Sequence, residues 1–349
     1  VVAGPKDVPS GFVLTGLVHN ELHFLPVFLP HYRALGVERF VFIDDQSHDG
    51  TSEFLAAQDD VTVLNSNRRF GDHISDELAA ELGTPHNRMD LVWRMLLLEK
   101  FGLQKWSLHL DADEFLDLPD GMQFQDFARL LDAEQSELVW ACMLDMYPRQ
   151  HSGLRDMQDD IVVDFARDWY FDGRQHLRLR TSAVPKKIYG GCRARLLNHH
   201  GLHRKAHWFQ KVVCARLGMD PPFYNAFHKP VMLKWSAGTT FISSHRVDLL
   251  ASDRFLLPLR HYKFNGSVCN SRQAGIRTVR LNTVIWRRCL RRWHFTMIPS
   301  SMRPRSSSPI STTSNVLEMH LALTSHRYVL ASAHQMRQLI HDQTGMGFP

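Results

Sequence analysis

Three short apolar segments alternate with two helical ones in the first 64 residues, and this alternation limits the fold more than any other feature. Residues 11–18, 39–43 and 61–64 are rich in Val, Leu, Ile and Phe and are too short for helices, so each is predicted to be a strand. Nearly continuous apolar runs are typical of strands buried on both faces of a parallel sheet. The β-α-β-α-β order therefore predicts right-handed crossovers and an α/β fold with a mostly parallel central sheet flanked by helices.

The same patterns predict the other elements. Residues 22–35 have apolar side chains at helical spacing, although Pro26 and Pro30 are expected to confine this helix to short pieces. Further helices are predicted at 52–57, 87–101 and 124–131, and further strands at 106–110, 137–144 and 256–264. Residues 231–235 and 239–243 predict a hairpin around Ala237 and Gly238.

The composition is that of an ordinary globular protein. The chain has 349 residues, of which 44% are hydrophobic and 22% are charged. No run of about 18 apolar residues appears, so no membrane span is predicted. The first ten residues lack the apolar core of a signal peptide. The five cysteines form no C-x-x-C pair, which favours a reducing, cytoplasmic setting.

Polar residues follow three of the predicted strands. These residues are Asn20 and Glu21, then Asp44 and Asp45, and finally Asp111 and Asp113. In open sheets of parallel strands, ligands bind beyond the carboxyl ends of the strands. The three clusters therefore predict a single binding edge.

Asp111 and Asp113 are the strongest candidates for a metal site. Residues two apart point the same way in an extended chain, and two close carboxylates repel each other unless a cation lies between them. Hard oxygen ligands of this kind suit Mg²⁺ or Mn²⁺, which also bind substrate phosphates. The alternative is an acidic turn whose carboxylates are solvated or cap the next helix.

Four ordered segments resemble family 2 glycosyltransferases of GT-A fold, in a bacterial subgroup akin to family 92. They are residues 19–21 (His-Asn-Glu), 31–37, 42–51 (Phe-Ile-Asp-Asp-Gln-Ser-His-Asp-Gly-Thr) and 109–115 (His-Leu-Asp-Ala-Asp-Glu-Phe). Residues 190–196 and 261–264 (His-Tyr-Lys-Phe) are similar to later motifs of that subgroup. His19 stands where the family usually has Arg. The resemblance spans roughly residues 11–265 and implies a GT-A domain over residues 1–265. Residues 266–349 show no such resemblance, and their composition predicts a basic, helical or irregular region with a terminal helix.

The resemblance also implies a chemistry and a set of site residues. The expected activity is metal-dependent, inverting transfer of a sugar from a nucleotide-sugar donor to a carbohydrate or lipid-linked acceptor. The donor is expected to contact Asn20, Glu21, Asp44, Asp45 and Asp111. Mn²⁺ or Mg²⁺ is expected at Asp111 and Asp113, with His261 or His245 completing the shell. Asp145 is the first candidate for the base that deprotonates the acceptor, and Asp172 is the second.

Two other functions compete with this one. A nucleotidyltransferase also uses paired acids on Mg²⁺, but no Gly-rich phosphate loop follows Val18. A non-catalytic scaffold on a decayed transferase fold is the alternative outside enzymes, since residues 254–317 contain no Asp or Glu and many Arg. Such a basic region is compatible with peripheral attachment to an anionic membrane, at the inner face, or with a solvated surface. No nucleic-acid partner is expected, because no known binding motif is present.

Overall fold

The structure is a computed structural model that describes most of residues 2–148 and all of residues 227–262. Within the first range, residues 6, 8, 9, 85, 86 and 120 are not described, and between the two ranges the described residues are 163, 165, 169–171, 175–178, 187–190, 192, 209, 212, 213 and 216. Asp172, the boundary at residue 265 and the region 266–349 lie outside the described residues.

The structure gives bounds for fifteen strands and five helices in the described part of the chain. The strands are β1 (Val2–Ala3), β2 (Val13–Val18), β3 (Arg39–Asp44), β4 (Val61–Asn65), β5 (Trp106–His109), β6 (Glu114–Leu116), β7 (Leu138–Asp145), β8 (Tyr147–Pro148), β9 (Trp169–Tyr170), β10 (Gln175–Arg178), β11 (Lys187–Gly190), β12 (His228–Lys234), β13 (Phe241–Ser243), β14 (Arg246–Val247) and β15 (Ala251–His261). The helices are α1 (Leu25–Ala34), α2 (Thr51–Ala56), α3 (Asp76–Glu81), α4 (Met89–Phe101) and α5 (Phe124–Ala133).

Nine of these strands form one open, mixed sheet in the order β1-β4-β3-β2-β5-β12-β7-β15-β6. Strands β4, β3, β2, β5, β7 and β15 run in one direction, while β1, β12 and β6 run in the other. The prediction of an α/β fold with a mostly parallel sheet is confirmed. The central, antiparallel place of β12 was not predicted. Its partner β5 lies more than 100 residues earlier in the chain, and pairing over that separation leaves no local pattern in the sequence.

Alternate residues of the parallel strands pack on opposite faces of the sheet. Leu14 and Val18 of β2 join a core with α1 and α5, whereas Val13 and Leu17 join a second core with α3 and α4. Phe40 and Phe42 of β3 alternate in the same way with Val41 and Ile43. Burial on both faces explains why these strands are apolar throughout.

The two prolines do not divide α1, so that prediction is wrong. Pro26 lies in the first turn, where its missing N–H is not needed, and only Pro30 lies inside the helix. The buried face of α1, which includes Phe28 and Tyr32, packs into the core and compensates for the single lost backbone hydrogen bond.

The predicted hairpin between residues 231–235 and 239–243 is also wrong. Strand β12 pairs with β5 and β7, and β13 pairs with β14 instead of β12. The turn at Ala237 and Gly238 exists, but the apolar residues of β12 are buried between two long-range partners.

In the part of the chain that the structure describes, no helix is long and apolar enough to cross a membrane.

Candidate functional site

Three ionisable side chains form one row across neighbouring strands. Glu114 in β6 pairs with His261 at the end of β15, and His261 pairs in turn with Asp145 at the end of β7. Residues in register point to the same face of a sheet, so the three side chains lie side by side, and all three are buried. The row lies at the carboxyl edge of the parallel strands, the edge at which open α/β sheets bind ligands.

The ring of His261 contacts a carboxylate on each side. Its Nδ1 lies 2.6 Å from Oδ1 of Asp145, and its Nε2 lies 3.4 Å from Oδ2 of Asp113. Burial alone lowers the pKa of His261, but the two carboxylates outweigh burial and raise the pKa to about 9. Asp145 accepts the Nδ1 proton. The other ring nitrogen, Nε2, faces Asp113 and is the one that can contact a ligand.

Residues 111–114 form a turn, and the prediction of an extended chain at the two aspartates is wrong. The Glu114 N–H donates to the Asp111 carbonyl at 3.1 Å and closes this turn. The alternation of side chains that holds in extended chain does not apply to a turn. Leu110, the residue before this turn, packs closely against Gly16 of β2. A Cβ atom at position 16 would lie only 2.7 Å from the Leu110 carbonyl oxygen.

Asp111 lies between two basic side chains of the protein. Lys229 at the start of β12 donates from Nζ to Oδ2 at 2.8 Å, and Arg94 of α4 donates to Oδ1 at 3.2 Å. Burial raises the pKa of Asp111, but Lys229 and Arg94 outweigh this and hold the pKa well below its ordinary value. The side chain is still 38% exposed, whereas that of Lys229 is only 3% exposed.

Glu114 is held from several sides. Its Oε2 accepts from Lys229 Nζ and from the backbone N–H of Asp111, the latter at 2.9 Å. Tyr32 of α1 donates its hydroxyl to the Glu114 carbonyl at 2.9 Å and accepts the N–H of Leu116 at 2.8 Å. Because β6 lies at the edge of the sheet, these bonds from α1 replace a missing neighbour strand.

Among the residues that the structure describes, one group has the composition of a metal site. One oxygen each of Asp113 and Glu114 and one ring nitrogen of His261 lie within 4.8 Å of one another. Two carboxylates and an imidazole suit Mn²⁺ well and Mg²⁺ less well. Asp111, which the sequence paired with Asp113 as a metal ligand, lies outside this group and faces Lys229 and Arg94.

A second cluster joins the ends of β2 and β3 at the same edge of the sheet. Asp44 accepts from the hydroxyl of Ser47 at 2.5 Å, and that hydroxyl accepts the Asn20 N–H at 2.9 Å. The side-chain oxygen of Asn20 accepts the His48 N–H, and Asn20 has the left-handed φ of 57° that Asn tolerates. Asn20 and Asp44 thus connect the two loops that border this part of the edge.

Asp45 carries a buried oxygen that has no hydrogen-bond partner among the described residues. Its Oδ2 accepts the Phe70 N–H at 3.2 Å, but Oδ1 is paired only with Arg69, 3.6 Å away. Burial raises the pKa of Asp45 above its usual value despite these neighbours. The His19 ring donates from Nδ1 to the Asp45 carbonyl at 2.6 Å, and Glu21 donates its N–H to Thr51 at 2.8 Å.

Two candidates have neighbours that differ from those expected. Asp145, the first candidate for the base, is only 1% exposed and bonds to His261. His245 donates from Nδ1 to the carbonyl of His228 at 2.8 Å and belongs to no ion-binding group in the described part of the chain. The structure therefore brings Asp113, Asp145 and His261 together and leaves His245 apart from them.

Sequence reasoning missed Arg94 and Lys229, and it assigned no role to Glu114. Arg94 had a local signal, since it lies on the buried stripe of α4 with Leu91 and Leu98, where a charged residue needs a partner. Lys229 had none, because a basic residue before a strand is usually solvated. Its role depends on the antiparallel direction of β12, which brings the start of that strand to the carboxyl edge.

Comparisons with known proteins give no relative. No protein-family model and no curated protein matches the chain. Among solved structures, the crystal structure of 4-diphosphocytidyl-2C-methyl-D-erythritol synthase is similar with 15% sequence identity, covering 60% of this chain and 87% of that chain, at a TM-score of 0.23. The resemblance to family 2 glycosyltransferases stays a prediction.

Proposed function

We propose that the chain is a glycosyltransferase that moves a sugar from a nucleotide-sugar donor to a hydroxyl of a carbohydrate or lipid-linked acceptor, with Mn²⁺ or Mg²⁺ at its site. The observation that carries this proposal is the group of Asp113, Glu114 and His261, backed by Asp145, at the carboxyl edge of the sheet. The order of motifs along the chain adds the resemblance to GT-A glycosyltransferases. An enzyme of this kind needs a cation beside a nucleotide site, and the side chains at this edge supply ligand types that suit a divalent cation.

The nucleoside of the donor is proposed to bind at the ends of β2 and β3. Oδ1 of Asp45 is a buried acceptor that receives no hydrogen bond from the described residues, with Arg69 3.6 Å away, and such an atom favours a hydroxyl or amino group of a ligand. Asn20, Glu21 and Asp44 shape the same loops through their contacts with Ser47, His48 and Thr51. These contacts hold the two loops in place and support the proposal that a ribose or base binds against them.

The diphosphate is proposed to lie between this region and the row on β6, β15 and β7. Asp113, Glu114 and His261 would hold the metal, which acts as a Lewis acid toward the leaving diphosphate. Asp145 accepts the Nδ1 proton of His261 and so keeps Nε2 turned to the ligand side. Asp111 and its two basic neighbours lie next to these ligands.

Transfer with inversion needs a carboxylate that takes the proton of the acceptor hydroxyl. The acceptor oxygen then forms a bond to the anomeric carbon, the bond from that carbon to the diphosphate oxygen breaks, and the negative charge remains on the nucleoside diphosphate. The burial of Asp145 and its bond to His261 argue against its service as this base. Of the two candidates, we therefore propose Asp172.

Hydrolysis of a panel of nucleotide sugars with Mn²⁺ tests the proposal. We expect the wild type to hydrolyse one or more donors slowly and Asp113→Asn to lose more than about 100-fold of that rate, since it loses a metal ligand. Asp59→Asn is the matched control, because Asp59 is an exposed turn aspartate. Equal rates in wild type and Asp113→Asn would end the metal role, and no hydrolysis or transfer by either would favour the scaffold.

A further inference from the structure

We propose that Lys229 is the resident counter-ion of this site and opposes the binding of a divalent cation there. The inference rests on the metal part of the proposed function and deepens it. Lys229 would hold the carboxylates together while no metal is bound, and its charge would set how tightly a metal binds. None of the sequence motifs assigns a role to this residue.

The contacts of Lys229 place one ammonium group between two acids. Nζ donates to Oδ2 of Asp111 at 2.8 Å and also to Oε2 of Glu114. The side chains of Lys229 and Glu114 are 3% and 1% exposed, so little water screens this pair. A buried ammonium with two carboxylate partners is paired as fully as the environment requires.

Glu114 is shared between Lys229 and the candidate metal group. Its Oε2 bonds to the ammonium, and one of its oxygens lies within 4.8 Å of ligand atoms of Asp113 and His261. A divalent cation bound there would share a carboxylate with Lys229 in a poorly solvated place. Like charges at such a separation repel, so the Lys229 ammonium lowers the affinity of the group for a divalent cation.

The charges at the site fit this effect. Asp111 and Glu114 pair with the basic side chains of Lys229 and Arg94, whereas Asp113 and Asp145 pair with His261. A metal bound at His261 would displace the ring proton, and the four acids would then exceed the two basic groups by two negative charges, which one divalent cation matches. Removal of Lys229 takes away one positive charge and so leaves a third acid uncompensated, which favours metal binding.

Titration of the purified full chain with Mn²⁺, followed by the electron paramagnetic resonance signal of the unbound ion, tests the inference without an activity assay. We expect Lys229→Met to bind Mn²⁺ at least about 10-fold more tightly than the wild type. Lys229→Arg keeps the charge and is expected to bind within about threefold of the wild type. The matched control is Lys234→Met, which removes an exposed lysine of the same strand that pairs with Asp132 at 2.9 Å.

Each result has a distinct meaning. Equal or weaker Mn²⁺ binding by Lys229→Met overturns the role of Lys229 and leaves the proposed function standing. If neither the wild type nor Lys229→Met binds Mn²⁺, the metal part of the proposed function fails as well. If Lys229→Met does not fold in the absence of metal, its refolding is repeated in the presence of Mn²⁺. Lys229→Gln is tested in the same way. Rescue by Mn²⁺ supports the inference, and failure of both variants to fold with Mn²⁺ overturns it.

Discussion

The carboxylate of Asp145 and the imidazole of His261 form a buried hydrogen-bonded pair, with Nδ1 and Oδ1 2.6 Å apart. A carboxylate behind a histidine fixes which ring nitrogen carries the proton and raises the basicity of the other nitrogen. At the scale of one residue, the contact supports the proposal that Asp145 positions His261. This interpretation gives the acid a role that does not require contact with a substrate.

We expect Asp145→Asn to weaken Mn²⁺ binding by about 10- to 100-fold, because an amide oxygen accepts the Nδ1 proton but supports the ring less well. The measurement is the Mn²⁺ dissociation constant, with Asp59→Asn as the control for loss of one negative charge. A purely structural role would lower the melting temperature and leave the affinity of the folded protein unchanged. That pattern would contradict the positioning role.

The pKa of His261 predicts how stability depends on pH. Its value of about 9 in the folded protein exceeds the ordinary value of 6.5, so the folded state binds the proton more tightly. The resulting stabilisation is complete below about pH 6.5 and is lost as the pH rises through 9. Without metal, we expect the free energy of unfolding to fall by about 3 kcal/mol over this window.

Urea denaturation at pH 6, 7.5 and 9 measures this effect. His261→Gln removes the titrating group, so its free energy of unfolding should change much less over the same window. His73→Gln is the control, because His73 is exposed and its loss should leave the pH dependence intact. A parallel decline in wild type and His261→Gln would contradict the assignment.

At the scale of elements, the three-residue strand β6 depends on helix α1. The hydroxyl of Tyr32 bonds to the Glu114 carbonyl and the Leu116 N–H, and the His31 ring donates from Nε2 to the Leu116 carbonyl at 2.9 Å. On its other side β6 pairs with β15. The position of Glu114 in the site is thus fixed partly by a helix that contributes no ligand.

We expect Tyr32→Phe to lower the free energy of unfolding by about 2–4 kcal/mol, because two buried backbone groups of β6 lose their partner. The same change should weaken Mn²⁺ binding, since Glu114 is then held less firmly. Tyr170→Phe is the matched control, because Tyr170 is half-buried and its hydroxyl has no hydrogen-bond partner among the described residues. Chemical denaturation measures the free energy of unfolding, and titration measures the affinity for Mn²⁺. If Tyr170→Phe lowers both as much as Tyr32→Phe does, the role of Tyr32 is contradicted.

Local patterns predicted most helices and the parallel strands, because each of these elements buries its own periodic apolar face. They missed β6, whose three residues are too few for a pattern and whose support comes from Tyr32. They failed at the supposed hairpin, because a turn at Gly238 does not reveal that β12 prefers β5 and β7.

Of the residues that the sequence named for the candidate site, some lie together and others do not. Asp113 and His261 were named as metal ligands from motifs, and the structure places them together. The partnership of Glu114 with Lys229 spans 115 residues, and that of Asp145 with His261 spans 116, so neither leaves a local trace.

At the scale of the whole molecule, the sheet has a buried centre and weaker edges. Strands β12 and β7 are almost entirely buried, whereas β1 and β6 lie at the ends of the nine-stranded sheet. Opening of the centre requires disruption of both neighbours, while an edge strand has one.

Native-state hydrogen exchange should therefore be slowest in β7 and β12 and approach the rate set by global unfolding. Strand β6 should exchange faster, and the isolated pair β13–β14 should exchange faster still. Mass spectrometry of peptic peptides measures these rates. Faster exchange in β12 than in β2 and β3 would contradict its central place in the sheet.

The late position of β12 in the chain has a consequence for biosynthesis. A ribosome makes β5 and β7 long before residues 228–234 emerge, so the nascent protein carries a partial sheet with an open edge at β5 and a strand β7 whose neighbours, β12 and β15, are both made later. Exposed apolar edges of this kind attract other chains, which makes the interval before β12 arrives the period of greatest risk of aggregation. A pause in translation before residue 228 would lengthen that interval. Chaperones that bind strand edges would cover them during it.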